Sequence, residues 1–265
     1  MIFAIESGYY LFVTYILAGL VGLCVGSFLN VVIYRVPEGM SLAAPASHCP
    51  QCGYVLHWYD NIPILSYCIL GGKCRSCGGH IPFRYTAVEA ANMILWLLCV
   101  ERFHGNMLYC FLTMAALSVC LCVFFIDLEH SIIPDRFQVI LAVLAIASVF
   151  LDTGYDWVSH LIGFAAAAVV FLSVGFGVSR KLGREALGGG DIKFAMCAGL
   201  LLGWQKFLLM MLIASISGSI VMLAKKNREG ESVETPFAPF LTSGMAITLL
   251  YGNQIINWYC DLLLL

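Results

Sequence analysis

Tyr9-Tyr-Leu-Phe-Val-Thr-Tyr-Ile-Leu-Ala-Gly-Leu-Val-Gly-Leu-Cys-Val-Gly-Ser-Phe-Leu-Asn-Val-Val-Ile33 contains no charged residue. A helix needs about 20 mainly apolar residues to cross the hydrocarbon of a bilayer, and this run is longer than that. It is too long for a secretory signal, has no basic region before it and no small-residue cleavage site after it, so it reads as a retained helix. The whole chain agrees: 61% of its residues are hydrophobic, 11% are charged, and the mean hydropathy is +0.89. A soluble domain carries roughly 25% charged residues. So few charges cannot cover a water-facing surface, and lipid must solvate most of this chain. The net charge of −2 gives no basic field for nucleic acid.

Working outward, further apolar runs cover Thr86–Val100, Met107–Ile126, Ile133–Leu151, Val158–Val178, Ile192–Leu202, Lys206–Ala224 and Pro239–Tyr259. The expected class is an all-α polytopic membrane protein of about eight transmembrane helices, with Ile192–Leu202 short for a full span. Basic residues fix the orientation. Arg35, Lys73, Arg75 and Arg84 follow the first run; Arg136 lies between the third and fourth; Arg180, Lys181 and Arg184 follow the fifth; Lys225, Lys226 and Arg228 follow the seventh. These are alternate loops and share one side, the cytoplasm, while the other loops hold Arg102, Asp152, Asp156 and Lys206. No internal repeat is evident.

The one sizeable polar segment is Pro37–Arg84, rich in proline and glycine, which reads as a small cytoplasmic domain that needs a staple. Cys49-Pro-Gln-Cys52 and Cys74-Arg-Ser-Cys77 supply one: two CxxC turns at the spacing of four-cysteine zinc sites. Gly53 and Gly78 follow each turn, as a knuckle with unusual backbone angles requires. A disulfide pair or unrelated thiols are the alternatives, and a reducing cytoplasm disfavours the first. His48 and His57 could substitute as ligands. The cysteines in apolar runs, such as Cys99, Cys110, Cys120 and Cys122, read as small core residues.

Two carboxylates stand where ionisable groups are costly. Asp127 ends the third apolar run, and Asp191 follows Gly188-Gly-Gly190 at the start of the sixth. By default such groups are functional. Facing each other, two aspartates form an acid–base dyad, because like charges held close keep one proton between them. The glycines would let an extended substrate approach the backbone. The alternatives are structural: Asp191 capping its helix or pairing with Lys193, and Asp127 serving as an interfacial charge like Glu129 or Asp135.

Together these residues resemble the bacterial type IV prepilin peptidases over nearly the whole chain. Gly22–Pro37 is similar to that family's N-terminal signature. Cys49–Cys52, Trp58–Tyr67 and Gly71–Cys77 resemble its zinc segment, and Ile81–Glu89 the stretch leading into its second helix. Ile126–Asp135 and Gly188–Lys193 resemble its two aspartate motifs, the second being the GxGD motif of intramembrane aspartic proteases. Glu129 stands where an aspartate is frequent, and Thr86 where a proline is.

The resemblance implies three parts: a first helix (1–36), a zinc-binding cytoplasmic domain (37–85) and a membrane-embedded protease domain (86–265). It implies Asp127 and Asp191 as the catalytic pair. It implies cleavage of a basic leader from prepilins or pseudopilins, after a glycine, at the cytoplasmic face of the bacterial inner membrane. It also implies methylation of the new N-terminus from S-adenosylmethionine, with Gly72 and Glu89 as candidates for that site. The alternatives for those two are a turn, and a salt bridge to Arg84 or Arg75. Three other readings remain open: a polytopic transporter, a non-proteolytic scaffold with a zinc knuckle, and a methyl transferase without protease activity.

Overall fold

The computed structural model describes residues 2–151, 157–182, 188–229 and 236–264. Arg184, Asp152 and Asp156, which enter the charge argument, lie outside them. Its elements are α1 (Ile2–Arg35), a 3-10 turn at Trp58–Asn61, α2 (Leu65–Ile69), α3 (Arg84–Phe103), α4 (Met107–His130), α5 (Asp135–Leu151), α6 (Trp157–Leu182), α7 (Gly189–Leu202), α8 (Trp204–Glu229) and α9 (Ala238–Leu264). Helices are the only regular elements among the described residues, apart from two isolated β-bridges, His48 with Val55 and Lys73 with His80.

Each expected apolar run forms a helix, and the chain is a multi-pass membrane protein. Among the described residues, four segments are long and apolar enough to cross a bilayer: Gly8–Arg35, Met107–His130, Trp157–Gly177 and Trp204–Lys226. With 14 residues, α7 is only about 21 Å long at 1.5 Å per residue, short of a hydrocarbon core of about 30 Å. The count of about eight spans therefore rests on the charge pattern rather than on length and composition. The helix surfaces are apolar, as lipid solvation requires: Phe12, Leu20, Val139, Phe150, Phe176 and Leu212 are all exposed.

The chain divides into two compact units, Met1–Cys110 and Phe111–Leu265. In the first, α1 packs along α3 through glycine. A Cβ on Gly26 would lie 2.8 Å from Glu89 Cα, and one on Gly22 would lie 3.2 Å from Met93 Cα. In a bilayer, where hydrophobic burial drives little helix association, such close backbone approach is a main source of attraction. It is reinforced by Asn92 Nδ2, which donates to Gly22 O at 2.8 Å, and by Asn30 Nδ2, which donates to Tyr85 O at 3.0 Å.

The second unit repeats the device. A Cβ on Gly163 of α6 would collide with Gly199 O of α7, and one on Gly199 with Gly163 O. At this crossing the two backbones touch. His160 Nδ1 donates to Leu200 O at 2.7 Å beside it. Gly244 of α9 lies against α8, where a Cβ would sit 2.9 Å from Met210 O. Phe194, Phe207, Met210, Leu241 and Met245 fill the core. α5 and α7 run parallel, bolted by polar contacts: Lys193 Nζ to Asp135 Oδ1 at 2.6 Å, Gln138 Nε2 to Gly190 O at 3.0 Å, and Ser148 Oγ to Leu201 O at 3.4 Å.

Candidate active site and metal centre

α4 runs one turn beyond Asp127 and stops at Ser131, whose φ of 53° leaves the helical region and whose N–H donates to Asp127 O at 2.9 Å. The Asp127 side chain is 5% exposed, whereas Glu129 and Asp135 of the same motif are exposed. That difference separates Asp127 from an ordinary interfacial charge. Its Oδ2 accepts the Ala238 N–H at 3.0 Å. Ala238 opens α9, so Asp127 supplies an acceptor for one of the N–H groups that a helix start leaves without a partner.

Asp191 lies in the first turn of α7 and within coulombic range of Asp127. It does not pair with Lys193, which binds Asp135 instead. Nor is it the N-cap: Gly188 holds that position in extended backbone, with φ −65° and ψ 137°, and Asp191 is the third helical residue. Asp191 is thus a half-buried carboxylate in the first turn of α7, near a second one.

The three glycines before it differ in their surroundings. A Cβ on Gly189 would have nothing within 4 Å, whereas one on Gly190 would lie 3.0 Å from Ile133 Cβ. So Gly189 leaves open space on its side, and Gly190 is packed closely against Ile133.

In the first unit, the sulfur atoms of Cys49, Cys52, Cys74 and Cys77 all lie within 4.8 Å of one another. Cys49 and Cys77 are 3.9 Å apart, and Cys52 and Cys74 4.0 Å. A tetrahedral zinc with Zn–S of about 2.3 Å needs S···S edges of about 3.8 Å, so the four thiols could hold such an ion. A disulfide, at about 2.0 Å, is excluded among them.

Each knuckle has the same wiring. Cys49 N–H donates to Tyr54 O and Gly53 N–H to Cys49 O; Cys74 N–H donates to Gly79 O and Gly78 N–H to Cys74 O. Gly53 and Gly78 have φ of 72° and 70°. This is a local duplication, too short to register as a sequence repeat. The backbone N–H groups of Cys52 and Gln51 hold the Cys49 thiol down to about 7, which favours the thiolate that a metal takes. His48 and His57 stand apart from the cluster: His48 Nδ1 bonds Ala46 O at 3.0 Å, and His57 stacks on Tyr59.

Gly72 and Glu89 shape the loop. Gly72 is buried at φ 69°, its N–H donates to Tyr67 O at 2.9 Å, and a Cβ there would lie 2.9 Å from Tyr67 Oη. Glu89 is buried, and its Oε2 accepts the Ile64 N–H at 2.8 Å. Ile64 itself is held at φ 59°, an outlier for a β-branched residue. Of the two arginines weighed as partners for Glu89, Arg75 binds Asp60 Oδ1 through Nε at 2.7 Å. Sequence reasoning misses Ile64, Gln138 and the Ala238 N–H as parts of these sites. Only the last leaves a trace, in Pro239 at the start of α9.

Two family models match the chain: the Bacterial Peptidase A24 N-terminal domain over residues 20–103 and the Type IV leader peptidase family over residues 114–223. Curated relatives named prepilin leader peptidase/N-methyltransferase include one from Myxococcus xanthus, 40% identical over 80% of this chain and 64% of its own length. Another, from Dichelobacter nodosus, is 34% identical over 89% of this chain and 91% of its own. A third, from Bacillus subtilis, is 32% identical over 92% and 96%. No solved structure matches. With two domain models in order and full-length relatives above 30% identity, the chain belongs to the type IV leader peptidase family.

Proposed function

We propose that this leader peptidase hydrolyses prepilin or pseudopilin leaders with Asp127 and Asp191 as its catalytic dyad. What supports this is the placement of two carboxylates, one buried on α4 and one in the first turn of α7, within coulombic range of each other. Neither has a cationic side chain as an ion-pair partner among the described residues. Negative charge is best tolerated on Asp127, where the Ala238 N–H and the start of α9 face Oδ2. The proton shared by the pair then rests on Asp191. Ionised Asp127 takes a proton from water as the oxygen attacks the scissile carbonyl, and Asp191 donates to the carbonyl oxygen as charge develops there. The open side of Gly189 is where an extended substrate strand reaches the dyad.

The alternate-loop excess of lysine and arginine supports a placement in the bacterial inner membrane, with the dyad and the 37–85 domain on the cytoplasmic side. Zinc suits the four thiolates by donor chemistry and spacing, and with all four positions filled by protein it would be structural. Methylation of the new N-terminus from S-adenosylmethionine is the second activity in the relatives' names. Gly72 and Glu89 are engaged by internal contacts, so no step of it is assigned to them.

The test is incubation of the purified protein with a prepilin and S-adenosylmethionine, reading the product by mass spectrometry. A product beginning immediately after the leader glycine and heavier by one methyl group supports both activities. Cleavage without added mass leaves peptidase alone, and no cleavage by intact protein refutes the proposal.

A further inference from the structure

Gln138 belongs to no aspartate motif, yet it is 5% exposed on α5 and reaches across to α7. Its Nε2 donates to Gly190 O at 3.0 Å. That carbonyl is half of the peptide unit whose N–H belongs to Asp191. A peptide unit is planar and turns as one body, so holding its oxygen fixes the plane from which the Asp191 side chain departs. Gly190 is the residue least able to fix that plane by itself, because glycine ranges widely in φ and ψ. Packing confines it from another side, where Ile133 Cβ stands 3.0 Å from the position of a Cβ.

The Gln138 main chain is tied in as well. Cys197 Sγ, further along α7, donates to Gln138 O at 3.7 Å. Gln138 thus contacts α7 on both sides of Asp191, at Gly190 and at Cys197. The amide orientation is dictated by its partner: only the NH₂ end can bond a carbonyl. The other end, Oε1, is buried and accepts no hydrogen bond from the described residues. Among the described residues, the grip on Gly190 is the one hydrogen bond this side chain makes.

We infer that Gln138 is a positioning residue for Asp191, fixing the Gly190–Asp191 peptide plane so that the Asp191 carboxylate stays aligned with Asp127. This rests on the dyad reading. A misplacement of about 1 Å at a reacting group can cost on the order of 100-fold in rate, so the effect falls on turnover rather than on substrate binding. Gln138→Leu keeps a side chain of similar bulk, one bond shorter, and removes the donor. Gln138→Glu keeps its shape and can donate to Gly190 O only when protonated.

The experiment measures kcat, KM and the pH profile of prepilin cleavage in detergent for wild type, Gln138→Leu, Gln138→Glu and Asp191→Asn, with thermal midpoints to confirm folding. The expected result is a kcat lowered roughly 10- to 100-fold for Gln138→Leu, with KM within about twofold of wild type. Gln138→Glu is expected to be slow at neutral pH and to recover relative to wild type as the pH falls. Wild-type kcat in Gln138→Leu, or a Gln138→Glu profile parallel to wild type, overturns the inference while an inactive Asp191→Asn leaves the dyad standing. Cleavage by Asp191→Asn at the wild-type rate instead sinks the dyad itself. If Gln138→Leu fails to fold, the pH response of Gln138→Glu decides.

Discussion

Stripping metal from the four-thiol cluster should unfold the loop at residues 41–82 and leave the helices standing. Between residues 41 and 82 the buried residues are Asp60, Gly72 and Cys74: one carboxylate, one glycine and one thiol of the cluster. No aliphatic or aromatic side chain there is fully removed from solvent. A fully buried leucine or valine contributes about 1.5–3 kcal/mol, and this segment has none. Ordering each backbone residue costs about 1–2 kcal/mol, so the hydrogen-bonded turns cannot hold the loop by themselves.

A structural zinc supplies about 10–16 kcal/mol in small zinc domains at neutral pH, more than any single hydrogen bond or ion pair in this segment. The ligands should not be equivalent. Cys74 is 8% exposed while Cys52 and Cys77 are exposed, so water can replace a lost sulfur at the outer positions and not at Cys74. The assay is metal content by mass spectrometry alongside limited proteolysis of reduced protein, with and without chelator. Cleavages should appear within residues 41–82 when zinc leaves, and Cys74→Ser should lose metal more completely than Cys52→Ser or Cys77→Ser. A loop that stays protease-resistant with no metal bound refutes the reasoning.

Other consequences follow from the same contacts. Gly163→Ala should fail to fold or lose its thermal transition, because its Cβ meets the Gly199 carbonyl, whereas Gly189→Ala should leave the midpoint unchanged. Equal midpoints for the two would contradict the α6–α7 crossing. Burial pushes the Asp60 carboxyl up, but the Arg75 guanidinium, the His57 N–H and the Tyr54 hydroxyl together hold it below its usual range. A carboxyl depressed in the folded state stabilises above its ordinary value of about 4 and loses that contribution as the pH falls through the folded value. Arg75→Leu removes the strongest support, so proteolysis of the loop should set in at a higher pH than in wild type; an unchanged onset would remove Asp60–Arg75 from the account.

Residues 9–33 announce a membrane helix because a long uncharged run has few other solutions, and the CxxC turns announce a metal knuckle because sulfur spacing is local. Asp127 and Asp191 stand out for the same reason: a charge within apolar sequence needs an explanation. What the sequence conceals is contact between distant segments. Nothing around Gln138 marks it as the partner of Gly190, and nothing around Glu89 marks the Ile64 N–H as one of its partners. Gly163 and Gly199 each look like an ordinary helical glycine until the helices are crossed. Such contacts depend on helix rotation and tilt, which leave no periodic signature. Lys193 beside Asp191 suggests a pair along one helix, but the lysine points to α5.

The account turns on two carboxylates sharing one proton, and replacing each in turn by its uncharged isostere tests that most directly. Wild type, Asp127→Asn and Asp191→Asn should be compared for prepilin cleavage at matched levels of folded, membrane-inserted protein. The dyad predicts that wild type cuts after the leader glycine and that both variants are inactive with unchanged thermal midpoints. Cleavage by either variant at the wild-type rate would contradict it.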